Sequence, residues 1–352
     1  MIPGLIISIA IIILFGVCFY VAKSMLEIKK FIKVAESENV KTSFEFNSFY
    51  DYIYNKYSEE LNKINSMISI KIWGLPIIFV LYIIIRVVIS KYGNTLFNND
   101  IYSTIYMFIP EMIFFASLII FTFEDKKQKR AYKEFKVKIL NEFIKQINED
   151  YIYVPDKIRD FGMKELYDKS NLDKKYESLV QKDYIEGYLE SGTFLKMCFL
   201  DVVNSKLERV EYFRGLFAVL MIKNQIDVDM KIVSNGTRVF EESGRVETDS
   251  AIFEQYFDVY EDSRFKTFKF LTPEIMNILV KFYEEFKLRF EISIKKDTIY
   301  IRFFSGDIFG NAVKETFLSR KNLYMCYSIL KLIMDITKEI DKFALDTEIN
   351  DI

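Results

Sequence analysis

Phe290-Glu291-Ile292-Ser293-Ile294-Lys295-Lys296-Asp297-Thr298-Ile299-Tyr300-Ile301-Arg302-Phe303 is the stretch on which the fold turns. Phe290, Ile292 and Ile294 alternate with polar residues, and Ile299, Ile301 and Phe303 resume the alternation beyond Lys296-Asp297. A period of two on both sides of a two-residue turn reads as an antiparallel hairpin with one apolar face. Just upstream, Thr272-Pro273-Glu274 opens a helix running to about Lys287, with Thr272 as N-cap and proline in the first turn. Further upstream, Tyr184–Leu189, Phe194–Val203, Phe213–Lys223, Val228–Val233, Phe253–Tyr260 and Phe265–Phe270 are rich in β-branched and aromatic residues and read as strands. Asn235-Gly236 is a turn signal, and Pro155 to Asp183 reads as a loop with scattered charges.

Downstream lies one long helix, about Val313–Phe343. Leu323, Cys326, Leu330, Ile333 and Ile340 follow a three-four spacing there. Such a stripe packs on a sheet, the preferred reading, or forms a coiled-coil seam and an interaction helix between two copies. Strands closed by a terminal helix give an α+β domain of antiparallel strands over residues 124–343, barrel-like in one form, with a tail at 344–352.

The first third of the chain is different. Ile2 to Ala22 carries no charge, Ile72–Ile89 only Arg86, and Ile101–Phe123 only Glu111. Runs near 20 apolar residues suffice to cross a bilayer core. Basic residues cluster after the first run (Lys23, Lys29, Lys30, Lys33), before the second (Lys63, Lys71) and after the third (Lys126, Lys127, Lys129, Arg130). This pattern predicts an anchor helix at 1–22, a cytoplasmic amphipathic segment at 23–71 and a transmembrane hairpin at 72–123. The expectation is a multi-pass protein of the cell membrane, N-terminus outside and C-terminal domain cytoplasmic. Arg86 and Glu111 fall at similar depth, each roughly 18–21 Å from the inner side at 1.5 Å per residue. They therefore form a candidate intramembrane pair, either a structural clamp on hairpin register or part of an ion path. Within 23–71, Phe46, Phe49, Tyr50, Ile53, Tyr54 and Tyr57 recur at helical spacing. Beyond the third run, Tyr132, Phe135, Ile139, Phe143 and Ile147 mark one face of a further helix.

Composition excludes several chemistries. No histidine occurs among the 352 residues, which removes Ser–His–Asp and Cys–His nucleophiles and every His-ligated metal. Cys18, Cys198 and Cys326 lie far apart, without metal-ligand or disulfide-framework spacing, and read as small buried hydrophobes. A net charge of −2 leaves no basic footprint for nucleic acid. No phosphate-binding or nucleotide-binding glycine motif is present. No catalytic, cofactor-binding or metal residue is assigned. The acidic candidates Asp183, Glu254, Asp258, Glu261 and Asp262 read as solvated loop charges rather than a catalytic pair.

Phe213-Arg214-Gly215-Leu216-Phe217, Phe253-Glu254-Gln255-Tyr256-Phe257-Asp258-Val259-Tyr260 and Leu271-Thr272-Pro273-Glu274-Ile275-Met276, in that order, resemble a bacterial membrane-protein family, domain of unknown function 3137. Asp183 with Gly187, and Ile299-Tyr300-Ile301, fit the same pattern. The resemblance spans Asp125 to Asp341 and departs at Phe265–Phe270, where the family tends to carry an alanine-arginine pair. It implies hydrophobic helices ahead of the domain and supplies neither an activity nor catalytic residues.

The expected function is therefore a membrane-anchored, non-enzymatic interaction or scaffold module, with a bilayer and a protein partner or second copy as its associates. An inner-leaflet sensor for a small molecule or lipid headgroup is the alternative. A transport component using Arg86 and Glu111 ranks below both.

Overall fold

A computed structural model describes residues 45–60, 79–80, 82–84, 86–87, 111, 115, 130–131, 133–155, 162–172, 176–203, 213–223, 228–235, 244–261, 267–268, 270–309 and 320–350. The apolar runs 2–22, 72–89 and 101–123 lie outside them, apart from those isolated helical positions. Among the described residues no helix is long and apolar enough to cross a membrane. The chain divides into two compact units, 1–136 and 137–352.

In the first unit, residues 45–60 form helix α1. Its buried line is narrower than its aromatic content suggests. Phe46, Ile53 and Tyr57 are buried, spaced seven and four apart, while Tyr52 and Tyr54 stand exposed. Tyr57 meets the edge of Phe135 at 6.2 Å between ring centroids.

The second unit begins within a helix whose residues 133–147 we call α2. Ile139, Leu140, Phe143 and Ile144 are buried on one side, and Lys138 and Lys145 are exposed on the other. Next come β1 (Ile152–Val154), α3 (Met163–Lys169), β2 (Ser178–Tyr188), β3 (Phe194–Val203), β4 (Phe213–Met221), β5 (Asp229–Ser234) and β6 (Arg245–Val246). Then follow α4 (Ala251–Glu254), β7 (Phe257–Glu261), α5 (Pro273–Phe286), β8 (Phe290–Lys295), β9 (Thr298–Phe303) and α6 (Arg320–Asn350). Among the described residues nine strands join one antiparallel sheet in the order β1-β2-β3-β4-β9-β8-β5-β7-β6. Among the described residues the sheet does not close into the barrel-like form and ends on strands of three and two residues.

The hairpin β8–β9 closes at Lys296, with φ of 57°, in the expected register. It sits in the middle of the sheet, and that position changes its meaning. An alternating hairpin normally wets one face. Here Glu291, Ser293, Tyr300 and Arg302 are buried as fully as Phe290, Ile292 and Ile301. The apolar face packs under α5: Phe282 lies 5.7 Å from Phe290 and 5.9 Å from Phe303, and Phe257 lies 5.2 Å from Phe290. Helix α6 joins α5 through Tyr324, whose ring lies 5.5 Å from Phe286 and whose hydroxyl donates to Glu285. At the β4–β9 seam, a Cβ on Gly215 would stand 1.8 Å from the Phe303 carbonyl oxygen, so glycine alone lets the strands meet there.

Several boundaries differ from the expectation. Residues 251–254 are helical because Ser250 caps them, accepting from Phe253 N at 3.2 Å, and β7 starts only at Phe257. Within Phe265–Phe270, residues 267, 268 and 270 are helical, closed by the Leu271 N to Thr267 O bond of 2.8 Å. The stretch from Pro155 to Asp183 holds α3 and the first half of β2. Helix α6 runs on to Asn350, and 311–319 lie outside the described residues. Helix α5 keeps its expected cap, Thr272 accepting from Ile275 N at 3.3 Å.

Candidate functional site

Helix α3 begins after Gly162, whose φ of 66° is a left-handed conformation that glycine adopts without strain. Its two inward residues, Met163 and Tyr167, are one turn apart and fully buried. They join Tyr184, Cys198, Leu200, Val202, Phe213, Phe217, Val219 and Tyr300 in a small second core. Tyr167 stacks on Phe213 at 6.2 Å and meets the edge of Phe217 at 5.0 Å. Such aromatic geometry adds about 0.5–1.5 kcal/mol per pair beyond area.

Beyond this core the contacts become polar. Arg302 and Glu291 stand opposite one another across β8–β9. Arg302 donates from Nε at 2.7 Å and from Nη2 at 2.6 Å to the same oxygen, Glu291 Oε2. Its Nη1 donates to the Tyr167 hydroxyl at 3.1 Å. Glu291 Oε1 is buried without a hydrogen-bond partner among the described residues. The guanidinium also faces the Phe304 ring at 5.3 Å, and Arg289 covers the same ring at 3.5 Å. Nearby, Ser293 Oγ donates to the Ser170 carbonyl and Lys231 Nζ to the Asn171 carbonyl, both at 2.8 Å. Cations and hydroxyl donors thus gather where α3 ends, the place at which unsatisfied carbonyls favour positive charge.

A second polar cluster marks the β2 bulge, where register shifts between Lys182 and Ile185. Asp183 has a φ of 55° and is buried, accepting from the Tyr153 hydroxyl. Lys182 Nζ lies 2.5 Å from Asp307 Oδ2 and 4.7 Å from the Phe199 ring centre. Burial, then the Asp183 charge, hold the Cys198 thiol well above its ordinary range. Burial pushes the Cys326 thiol up to about 12. Both shifts run away from thiolate reactivity. Burial likewise raises Tyr151 to about 12, with Asn148 pulling the other way. Among the described residues no group of three acidic or cysteine side chains is placed to hold a metal ion.

The residues singled out from the sequence fall elsewhere. Arg86 Nη2 lies 2.7 Å from Glu111 Oε1. Arg130 is exposed and 3.7 Å from Glu134, while Lys126, Lys127 and Lys129 lie outside the described residues. Leu323, Cys326, Leu330, Ile333 and Ile340 are buried within the chain itself, so this stripe is spent on its own core rather than left as a seam. The Arg302 cluster was not singled out, and Asp183 and Glu261, read from the sequence as solvated loop charges, are instead buried on β2 and β7. Glu291 and Arg302 sit at paired positions of a legible hairpin, and opposite charges facing across a ladder were the available signal.

The chain matches no curated protein and no solved structure. A family model described as "Protein of unknown function (DUF3137)" matches residues 211–342. The match is narrower than the resemblance over Asp125–Asp341 and leaves Asp183 and Gly187 outside. It takes in β4 to β9, α4, α5 and most of α6, while β1, α3, β2 and β3 precede it. Residues 211–342, somewhat over a third of the chain, are thus similar to the domain of unknown function 3137.

Proposed function

We propose that this chain is a membrane-anchored interaction module whose 137–352 unit docks a protein partner at the β1–β2 end of its sheet. One observation carries this reading. Among the described residues of that unit, the exposed large apolar side chains are Ile152, Val180, Tyr188 and Ile252, and three of these four stand on β1 and β2. Ile152 and Tyr188 are 52% and 57% exposed and share a face. Tyr188 packs at 4.7 Å on Phe194, whose ring Lys196 approaches to 5.9 Å. Exposed aromatic side chains are enriched in interface cores relative to bulk surface, and a lysine such as Lys196 belongs to the polar rim.

The anchoring half of the proposal is supported by the charge-free or nearly charge-free runs at 2–22, 72–89 and 101–123 and the basic residues that flank them. In that setting Arg86 and Glu111 act as a clamp between two helices. A photoreactive residue at position 188 in the intact protein, cross-linked in its native membranes, tests the reading. The expected product is one dominant protein adduct identified by mass spectrometry and missing from a control at Lys281, an exposed position on α5. Adducts to lipid alone, or the same adducts from both positions, refute it.

A further inference from the structure

The strand registers line up one row of side chains across the face of the sheet that carries α3. Tyr188 stands opposite Phe194, Phe194 opposite Met221, Met221 opposite Thr298, Thr298 opposite Lys295, and Lys295 opposite Asp229. Residues paired across a ladder share a face. That face is the one under α3, because Met221 packs against the core of Met163 and Tyr167, and Thr298 stands two alternations from Arg302, which reaches Tyr167. The row crosses β2, β3, β4, β9, β8 and β5, about 24 Å at 4.8 Å per strand. Its ends, Tyr188 and Asp229, are exposed, and the four side chains between them are half-buried. Apolar groups fill one half, and Thr298 with the Lys295–Asp229 pair, 2.6 Å apart, fills the other.

The next row on this face has the same layout and already holds a helix. Val219 and Tyr300 belong to the core beneath α3, and Ser293 and Lys231 continue the row across β8 and β5. Ser293 and Lys231 donate to the Ser170 and Asn171 carbonyls at which α3 ends. Helix α3 therefore crosses the strands from β4, where Tyr167 packs on Phe217, toward β5. In both rows a hydroxyl and then a lysine follow the apolar groups in that direction. Packed helices lie about 8–10 Å apart. The outer row is about 7 Å beyond Tyr300 and about 14 Å beyond Arg302 at 3.4 Å per residue, so it falls where a neighbour of α3 would rest.

We propose that this row seats an amphipathic helix of the partner protein, lying beside α3 and running the same way, with its C-terminal turn over Thr298 and Lys295. The proposal rests on the interaction-module reading and names the partner's chemistry. Apolar side chains at three-four spacing cover Tyr188, Phe194 and Met221. Charge sets the direction. A C-terminal turn carries unsatisfied carbonyls and the negative end of the helix dipole, which Lys295 and Thr298 complement as Lys231 and Ser293 do for α3.

The test reads spacing and order rather than capture alone. A photoreactive residue is placed at 188 or at 221 of the intact protein in native membranes, and the cross-linked partner peptides are sequenced by mass spectrometry. The two positions are two strands apart, about 9.6 Å, which spans about six residues of helix but about three of extended chain. The expected adducts lie on one partner segment, the one from 221 about six residues C-terminal to the one from 188. Lys295→Glu should lower the yield from 221 at least fivefold, while Lys296→Glu in the adjoining turn leaves it unchanged. A separation of about three residues, the reverse order, or equal yields from both variants overturns the proposal. A protein adduct from 188 with none from 221 leaves the interaction module standing and removes the helix seat. Lipid adducts alone from both positions remove both.

Discussion

The two faces of the central hairpin are buried to the same degree by opposite means. On one, Phe290, Phe303, Phe282 and Phe257 interlock, and the stabilisation comes from apolar area and aromatic packing. On the other, Arg302, Glu291, Lys231 and Ser293 hold the end of a seven-residue helix through directed hydrogen bonds. Equal burial does not mean equal contribution. Desolvating a charge pair offsets most of its Coulomb gain, so the polar face supplies orientation more than free energy.

Substitution separates the two. Phe290→Ala should cost about 3–5 kcal/mol, measured by denaturant unfolding, because a fully buried ring leaves a cavity. Arg302→Met should cost a similar amount, about 3–5 kcal/mol, but for another reason: it strands Glu291 in the interior. Arg302→Met with Glu291→Leu should then recover most of that loss or exceed the parent by about 1–4 kcal/mol. A double variant as unstable as the single would erase the distinction between the faces.

The smallest effect concerns pH. Tyr151 is raised from 10 to about 12 in the folded chain. The folded state therefore holds this proton more tightly than the unfolded state does. Its contribution to stability is complete below pH 10 and is lost as pH rises from 10 to about 12, about 2–3 kcal/mol in all. Tyr151→Phe should flatten that part of the stability profile and change little at pH 7. Its buried hydroxyl makes no hydrogen bond among the described residues, so the substitution removes little at neutral pH. A profile unchanged by the substitution would place the alkaline loss in other tyrosines.

The apolar face was legible from the sequence and the polar face was not, for one reason. Period-two alternation reports which residues share a side, not whether that side is wet. Glu291, Ser293 and Arg302 alternate as a solvent-facing row would, and only the covering helix reverses the reading. That helix is too short for a periodic signal, and Tyr167 reaches Arg302 across 135 residues. Thr272-Pro273 and β3 were legible because cap chemistry and strand composition are local. Residues 251–254 and 267–270 failed where aromatic content outweighed a serine cap and a single helical turn. The α6 stripe showed its period plainly, but its destination depended on what the fold set beside it.

The order of the strands carries a last consequence, for the timing of synthesis. Strand β4 is bordered by β3, made just before it, and by β9, the last of the described strands to leave the ribosome. Until β9 arrives, Phe217, Val219 and Leu220 sit in a ribbon with one border open, although the finished molecule hides them completely. Joining strands so distant in the chain is slow, and open ribbons invite clumping while they wait. Overexpression should therefore lose this protein to aggregates at the nascent stage, before its finished stability is ever tested.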